Sequence, residues 1–330
     1  MARRLLVVLR IVRTRLLVLP LVLASSPAWA LKPADHRALA EAACTAQRLP
    51  AAFCERMGQQ VFETDYREWT TPAAHAQRAR GQDRCAAADA ASIRVRGFAR
   101  DLVADAHAGN FEDAAVALGR AVHTLQDECA HHGMTNEEHA FYSMEDTCGD
   151  DADVSPDTQP AALACAQSRT NDVMAAVAAA LADVQWSGID YLCRDNNDQD
   201  SCQLASLPSP FQACDFLALH KDWDGTDSRW NGDVVGPALV SAFEHGLAGD
   251  IAYVPVCTAP GAIDLAMPHP QVTNRDTGCT LTDLACFGKA DAPGTAAPAD
   301  AGGCNAVGAP GLLVGLLALR RKKQSYRKER

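Results

Sequence analysis

"NFEDAAVALGRAVHTLQDECAHHG", residues 110 to 133, decides how the rest of the chain is read. Asn110 is a good N-cap, Asp113 stands three residues later in the place of a capping-box acid, and Gly133 supplies a stop. Val116, Val122 and Leu125 are the apolar residues expected to point inward, so the stretch is expected to be a helix. On such a helix His123 and Asp127 are four residues apart, and their side chains leave one face with Cβ atoms ~5–6 Å apart. Such a pair can chelate a metal or form an ordinary solvated ion pair. His123, His131, His132 and His139 crowd the twenty residues from Ala121 to Ala140, and the rest of the sequence must decide between the two readings.

From Asp35 to about Val184 the sequence is alanine-rich, with apolar residues at helical spacing and few β-branched runs. A second clear helix is expected in "RTNDVMAAVAAALADV", starting after Thr170 and ending before Trp186, and another near Pro237 to His245. The fold class is therefore mainly α, a multi-helix domain with disulfide-rich loops. Beyond Gly188 the texture changes to cysteine, aspartate and tryptophan. The acidic stretches Cys148 to Asp157 and Cys193 to Cys202 read first as solvated loops, and the two end cysteines of the latter could close it with a disulfide of its own. Their Asp and Asn oxygens also suit Ca2+, although neither has the EF-hand glycine and glutamate. Trp186, Trp223 and Trp230 are expected in the core. His107 reads as a capping or surface residue, and His245 and His269 lack partners at chelating spacing.

The two ends have their own logic. Arg3, Arg4, Arg10, Arg13 and Arg15, then "LLVLPLVLA", then the small residues of "SSPAWA" follow the plan of a secretory signal peptide. Cleavage after Ala28 exposes Trp29, and cleavage after Ala30 exposes Leu31. At the other end "GGC" (Gly302 to Cys304), a short apolar run and a basic tail resemble the MYXO-CTERM class of bacterial C-terminal sorting tails, which implies tail removal and a surface anchor near Cys304. The expected division is a signal peptide over 1–28 (or 1–30), a helical domain over 29–256, a disulfide-held loop and flexible stalk over 257–303, and a sorting tail over 304–330. The implied processing partners are signal peptidase and a C-terminal sorting protease.

The whole chain has 30 basic and 41 acidic residues; without the five arginines before residue 31, and the seven basic residues and one acid after 319, 18 basic face 40 acidic, a net charge of −22. So acidic a body repels polyanions and suits cations, and no stable nucleic-acid complex is expected. Thirteen cysteines in an exported chain point to disulfides. Without Cys304 twelve remain, enough for six bridges, and none has the CxxC spacing of a thiolate zinc site. Oligomeric state is not legible.

The nitrogen and oxygen donors that zinc takes in hydrolytic sites are spread along the helical part. They are His36, Asp65, His75, His123, Asp127, His131, His132 and His139. Their order, in "WALKPADH" (Trp29 to His36), "TDYREWTTPAAH" (Thr64 to His75) and "LGRAVHTLQD" (Leu118 to Asp127), resembles the zinc-dependent phospholipase C and S1/P1 nuclease superfamily over roughly residues 29 to 140. The resemblance implies a secreted all-helical hydrolase of phosphodiesters with two or three Zn2+ ions. Asp65, His75, His123 and Asp127 would hold one ion, and Asp127 would bridge to a second held by His36 and the Trp29 terminus. Asp65 would orient or deprotonate the attacking water. For a third ion the family places a histidine six residues after the bridging aspartate, but position 133 is glycine; it also expects an acid four residues after the next histidine, where Ser143 stands. His132 and His139 are the expected third-site ligands. The "DY" of Asp65 and Tyr66 and the acidic body favour a phospholipid, or another phosphodiester, as substrate. The alternatives are an S1/P1-type nuclease and a non-enzymatic, metal-stabilised or calcium-binding surface protein.

Overall fold

Seven α-helices lie among the described residues of the computed structural model, which are 31–147, 155–192, 219, 223, 228–250, 255–257 and 263. They are α1 (Pro33–Ala46), α2 (Ala51–Arg67), α3 (Arg84–Ala108), α4 (Phe111–His131), α5 (Asn136–Thr147), α6 (Pro160–Ala180) and α7 (Gly232–Leu247). No strand occurs among the described residues, so the protein is mainly α as expected. None of the helices among these residues is long and apolar enough to cross a membrane.

Local chemistry sets the ends. Pro33 opens α1 where a missing N–H costs nothing, and Asp35 Oδ2 accepts the Lys32 N–H at 3.2 Å. Asp83 caps α3 by accepting the Ala86 N–H at 3.1 Å, and Gly109, at φ 79°, ends it in the left-handed conformation. Asn110 does hold the N-cap position of α4, but its amide turns back to Asp105 at 3.3 Å and the side chain does not cap the helix. Helix α6 starts at Pro160, well before the Thr170 boundary that the sequence pattern suggested, because Pro160 opens its first turn and the alanines after it continue the helix. Helix α7 is longer than expected too, capped by Asn231 and running through Pro237.

Helix α4 is the axis of the fold. From Ala121 to His131 every residue is buried, as expected of a helix enclosed on all sides, here by α1, α2, α3, α6 and α7. Gly119 lets α2 come close: a Cβ there would lie 2.7 Å from the Met57 carbonyl and 2.6 Å from the Gln60 Cβ. That approach brings Asp65, near the end of α2, beside His123 on α4. Gly119→Ala is expected to push the two helices apart and lower stability by about 1–3 kcal/mol, the usual cost of overpacking. Urea denaturation measures this; an unchanged midpoint would show that the contact gives way freely.

Three disulfides staple the bundle. Cys44–Cys54 joins α1 to α2, Cys129–Cys165 joins α4 to α6, and Cys85–Cys257 ties α3 to the segment at 255–257. The backbone N–H groups of Val256 and Cys257 are both accepted by Asp89 Oδ1. Ile263 is fully buried in the main core, so packing against the helices continues past residue 256. Trp230 is fully buried, Trp186 packs on Phe53 and Phe111, and Trp223 on Phe141. His107 is half-exposed near the end of α3, with Asp183 at 3.2 Å, and His245 is exposed beside Asp250. The signal segment, the sorting tail, the Cys193 to Cys202 stretch, His269, the His220/Asp224 pair, whose four-residue spacing repeats that of His123 and Asp127, and Cys148, Cys214, Cys279 and Cys286 lie outside the described residues.

Candidate metal centre

Four backbone segments deliver donors to one point. Asp65 comes from α2, His123 and Asp127 from α4, and His75 from a 3-10 turn, Pro72–His75, ending at Ala76 in the left-handed conformation. The turn is fastened to α4 by the Thr124 hydroxyl, which donates to the Ala74 carbonyl at 2.8 Å. His36, on the first turn of α1, approaches Asp127 from the other side.

Asp127 is the hub, with one carboxylate oxygen for each side. Its Oδ2 is 2.9 Å from His75 Nδ1 and 2.9 Å from His123 Nε2, while its Oδ1 is 2.9 Å from His36 Nε2. The two nitrogens facing Oδ2 are 3.1 Å apart, and Asp65 Oδ1 stands 3.8 Å from His75 Nδ1 and 3.5 Å from His123 Nε2. These separations, 2.9 to 3.8 Å, bracket the ~3.3 Å edge of a tetrahedron with bonds of ~2.0–2.1 Å. Two N–H donors that close together, aimed at one oxygen, repel each other, whereas one cation among the four atoms satisfies them all. The other polar atom of each of these three side chains, Asp65 Oδ2, His75 Nε2 and His123 Nδ1, is buried without a hydrogen-bond partner among the described residues. The group Asp65, His75, His123 and Asp127 can thus hold a metal ion.

A second group lies beside it. His131 Nε2 is 3.0 Å from Asp157 Oδ1 and His139 Nε2 is 2.9 Å from Asp157 Oδ2. The His131 Nδ1–H donates to the His75 carbonyl at 2.8 Å, which turns the other nitrogen toward Asp157. His139 is placed by the start of α5, where the Thr135 hydroxyl accepts the Glu138 N–H at 3.2 Å. His36, Asp65, His75 and Asp127 line one cavity of about 420 Å³ together with the second group, walled also by Leu31, Tyr66 and Trp69, and His123 is buried behind them.

The expected ligand His132 is not in this group. It is the C-cap of α4, at φ 46°, with Nδ1 3.3 Å from Glu128 Oε1, and it packs against Gly232. The reason is helical phase. Residue 131 follows Asp127 by four positions and shares its face, whereas residue 132 is turned a further ~100°. The stripe His123, Asp127, His131 at four-residue steps marks the histidine that the fold brings into this group. Asp157 was read as part of an acidic loop, and only the tertiary fold brings it to His131 and His139. Trp29 lies outside the described residues.

The electrostatics follow from three carboxylates and five imidazoles in one place. Burial pushes the Asp127 carboxyl up, but His123, His131 and His36 more than reverse this and hold it well below the usual range. Burial raises Asp65 to about 6; His123 and His36 pull it down, and Asp127 and Asp157 push it up. Burial disfavours the imidazolium of His36, yet Asp127 and Asp65 lift it to about 10. His131 is lifted against its burial to about 9, chiefly by Asp127 and Asp157. Asp157 is held low by His139 and His131 despite its burial. Wherever a proton is held this tightly between nitrogen and carboxylate, a metal ion must displace it, so binding releases protons. Compared with family models, curated proteins and solved structures, the chain matches none of them.

Proposed function

We propose that this protein is an exported zinc-dependent hydrolase of phosphodiesters, acting on phospholipids. The observation that carries the proposal is the division of Asp127 between two sets of histidines, with a third His/Asp group on the same cavity. Nitrogen and carboxylate donors without thiolates suit zinc in a hydrolytic site. Asp65, His75, His123 and Asp127 would hold one ion, Asp127 and His36 a second, and His131, His139 and Asp157 a third. The carboxylate of Asp157 takes the place of the acid that Ser143 cannot supply, so the departure from the superfamily pattern does not remove the third donor set. Export agrees with three disulfides among the described residues, bonds that persist in oxidising compartments.

Zinc bound here would polarise a phosphoryl oxygen and make water acidic enough to attack near neutral pH. The protein's own part is positional and acid-base. Asp65 would take a proton from the attacking water, and its Oδ2 is the oxygen left without a partner among the described residues. Asp127 fixes the spacing of the two donor sets. Tyr66 and Trp69 give the cavity an aromatic wall, and among its described lining residues Lys32 is the sole lysine or arginine, which fits a diester with a single phosphate better than a polyanion.

The test is elemental mass spectrometry of the mature protein purified without chelators, followed by turnover of phosphatidylcholine and of single-stranded nucleic acid. Two or three zincs per chain with choline-phosphate release support the proposal. Cleavage of the nucleic acid alone moves the reading to a nuclease. Calcium alone, or no stoichiometric metal, overturns it in favour of a disulfide-stapled surface protein.

A further inference from the structure

His36 has two ring nitrogens, and only one can serve Asp127. Nε2 stands 2.9 Å from Asp127 Oδ1, and Nδ1 stands 2.8 Å from Gln126 Oε1. Gln126 is itself oriented from a third helix. Its Nε2 donates to Thr170 Oγ1 on α6 at 3.0 Å and toward the His36 carbonyl at 3.4 Å. The Thr170 hydroxyl spends its single proton on the Ala166 carbonyl at 2.7 Å, so toward Gln126 it can only accept. A reversed amide would set NH2 against the His36 N–H and an oxygen against a hydroxyl with no proton left. His36, Gln126 and Thr170 are all at most 2% exposed, which denies them water as a substitute.

We propose that Gln126, held by Thr170, is a positioning residue that fixes His36 as its Nδ1–H form and directs the Nε2 lone pair to an ion shared with Asp127. This rests on the metal reading given above. It assigns a role to a residue adjacent to the hub whose side chain belongs to neither ligand group. It also explains why α6, which supplies no ligand, packs against both α1 and α4 at this level. A histidine with an unfixed ring could offer either nitrogen or rotate, and the loss would appear in affinity before it appeared in the fold.

Zinc dissociation constants, measured by competition with a chromophoric chelator, test this in the wild type, Gln126→Met, Gln126→Glu and Thr170→Val. Gln126→Met keeps the buried shape and removes the acceptor; one zinc should bind about 10–100-fold more weakly, the usual effect of losing an outer hydrogen bond to a ligating histidine. Gln126→Glu still accepts from Nδ1–H but sets its second oxygen against the Thr170 hydroxyl, so it should recover part of that affinity, a difference from Gln126→Met that a role in packing alone would not predict. Thr170→Val should give an intermediate loss, and it carries the test if Gln126→Met does not fold. Gln126→Met binding zinc within about twofold of wild type, far less than such bonds contribute, would overturn the role. So would Gln126→Glu binding as weakly as Gln126→Met. A wild type that binds no zinc overturns the metal reading and this role with it, whereas equal binding by wild type and Gln126→Met removes the positioning role alone.

Discussion

In the proposed hydrolase, Asp127→Asn is expected to empty the metal centre and abolish hydrolysis while leaving the bundle folded. The carboxylate is shared: Oδ2 faces His75 and His123, and Oδ1 faces His36, so one substitution weakens two donor sets together. The loss in zinc affinity should exceed the ~10–100-fold typical of changes outside the ligand sphere. Asparagine has the same shape, and the buried histidines are not stranded as charges. Asp127 is the leading cause that lifts His36 and His131, so without it both can shed a proton and stay neutral. Circular dichroism and the melting midpoint of the metal-free variant should therefore stay close to wild type, while elemental analysis falls from two or three zincs toward none. His132→Ala is the control. Its ring faces Glu128, so zinc content should be unchanged, whereas His131→Ala should lose one ion. A variant Asp127→Asn that retains full zinc content and turnover would refute the hub.

Much of this was legible in the sequence because helices repeat. The 110–133 stretch announced α4 with its pair His123 and Asp127, and the alanine-rich texture announced a helical bundle. His36, Asp65 and His75 were legible as candidates through their order along the chain, and the structure brings all three to Asp127. What escaped was phase and long-range closure. His132 was preferred to His131 by counting toward position 133, although a four-residue step from Asp127 keeps to one helix face and a five-residue step leaves it. Asp157 had no local mark to set it apart from the other acids of its loop. Gln126 was hidden for a different reason: a glutamine on a buried helix becomes meaningful only when a histidine 90 residues earlier and a threonine 44 residues later meet it. The pairing of Cys85 with Cys257 likewise follows from no spacing, since it spans 172 residues.

Glu128→Ala is expected to destabilise the protein by about 3–5 kcal/mol, the cost of removing one partner from a buried ion pair. Glu128 is wholly buried, about 100° round α4 from the stripe of metal donors, and it takes a bond from Arg169 of α6. Arg169 also donates to the Leu125 carbonyl at 3.0 Å, and the Trp230 indole N–H donates to Glu128 Oε1 at 3.1 Å. Around this carboxylate the neighbours have made room: Gly236 lies where a Cβ would meet Glu128 and Arg169, and Gly133, at φ 73°, lies under the Trp230 ring. One acid thus joins α4, α6 and the start of α7. Taking it away leaves the Arg169 charge and the Trp230 N–H without their acceptor in a closed space. At ~2–4 °C per kcal/mol for a domain of this size, the melting midpoint should fall by roughly 6–20 °C. Burial alone would raise the Glu128 carboxyl, but His132 and Arg169 outweigh it and hold it below the ordinary 4.5. A carboxyl depressed by folding stabilises above its unfolded pKa and loses that effect as pH falls through the folded value. The gap between wild type and Glu128→Ala should therefore be full at pH 7 and narrow below about pH 4.5. Adding Arg169→Met to Glu128→Ala should recover part of the loss, because the unpaired charge goes with it. Zinc content per folded chain should be unaffected at low temperature, since no atom of Glu128 belongs to either donor group. If Glu128→Ala instead kept its midpoint and lost its zinc, the two faces of α4 would not divide stability from chemistry in this way.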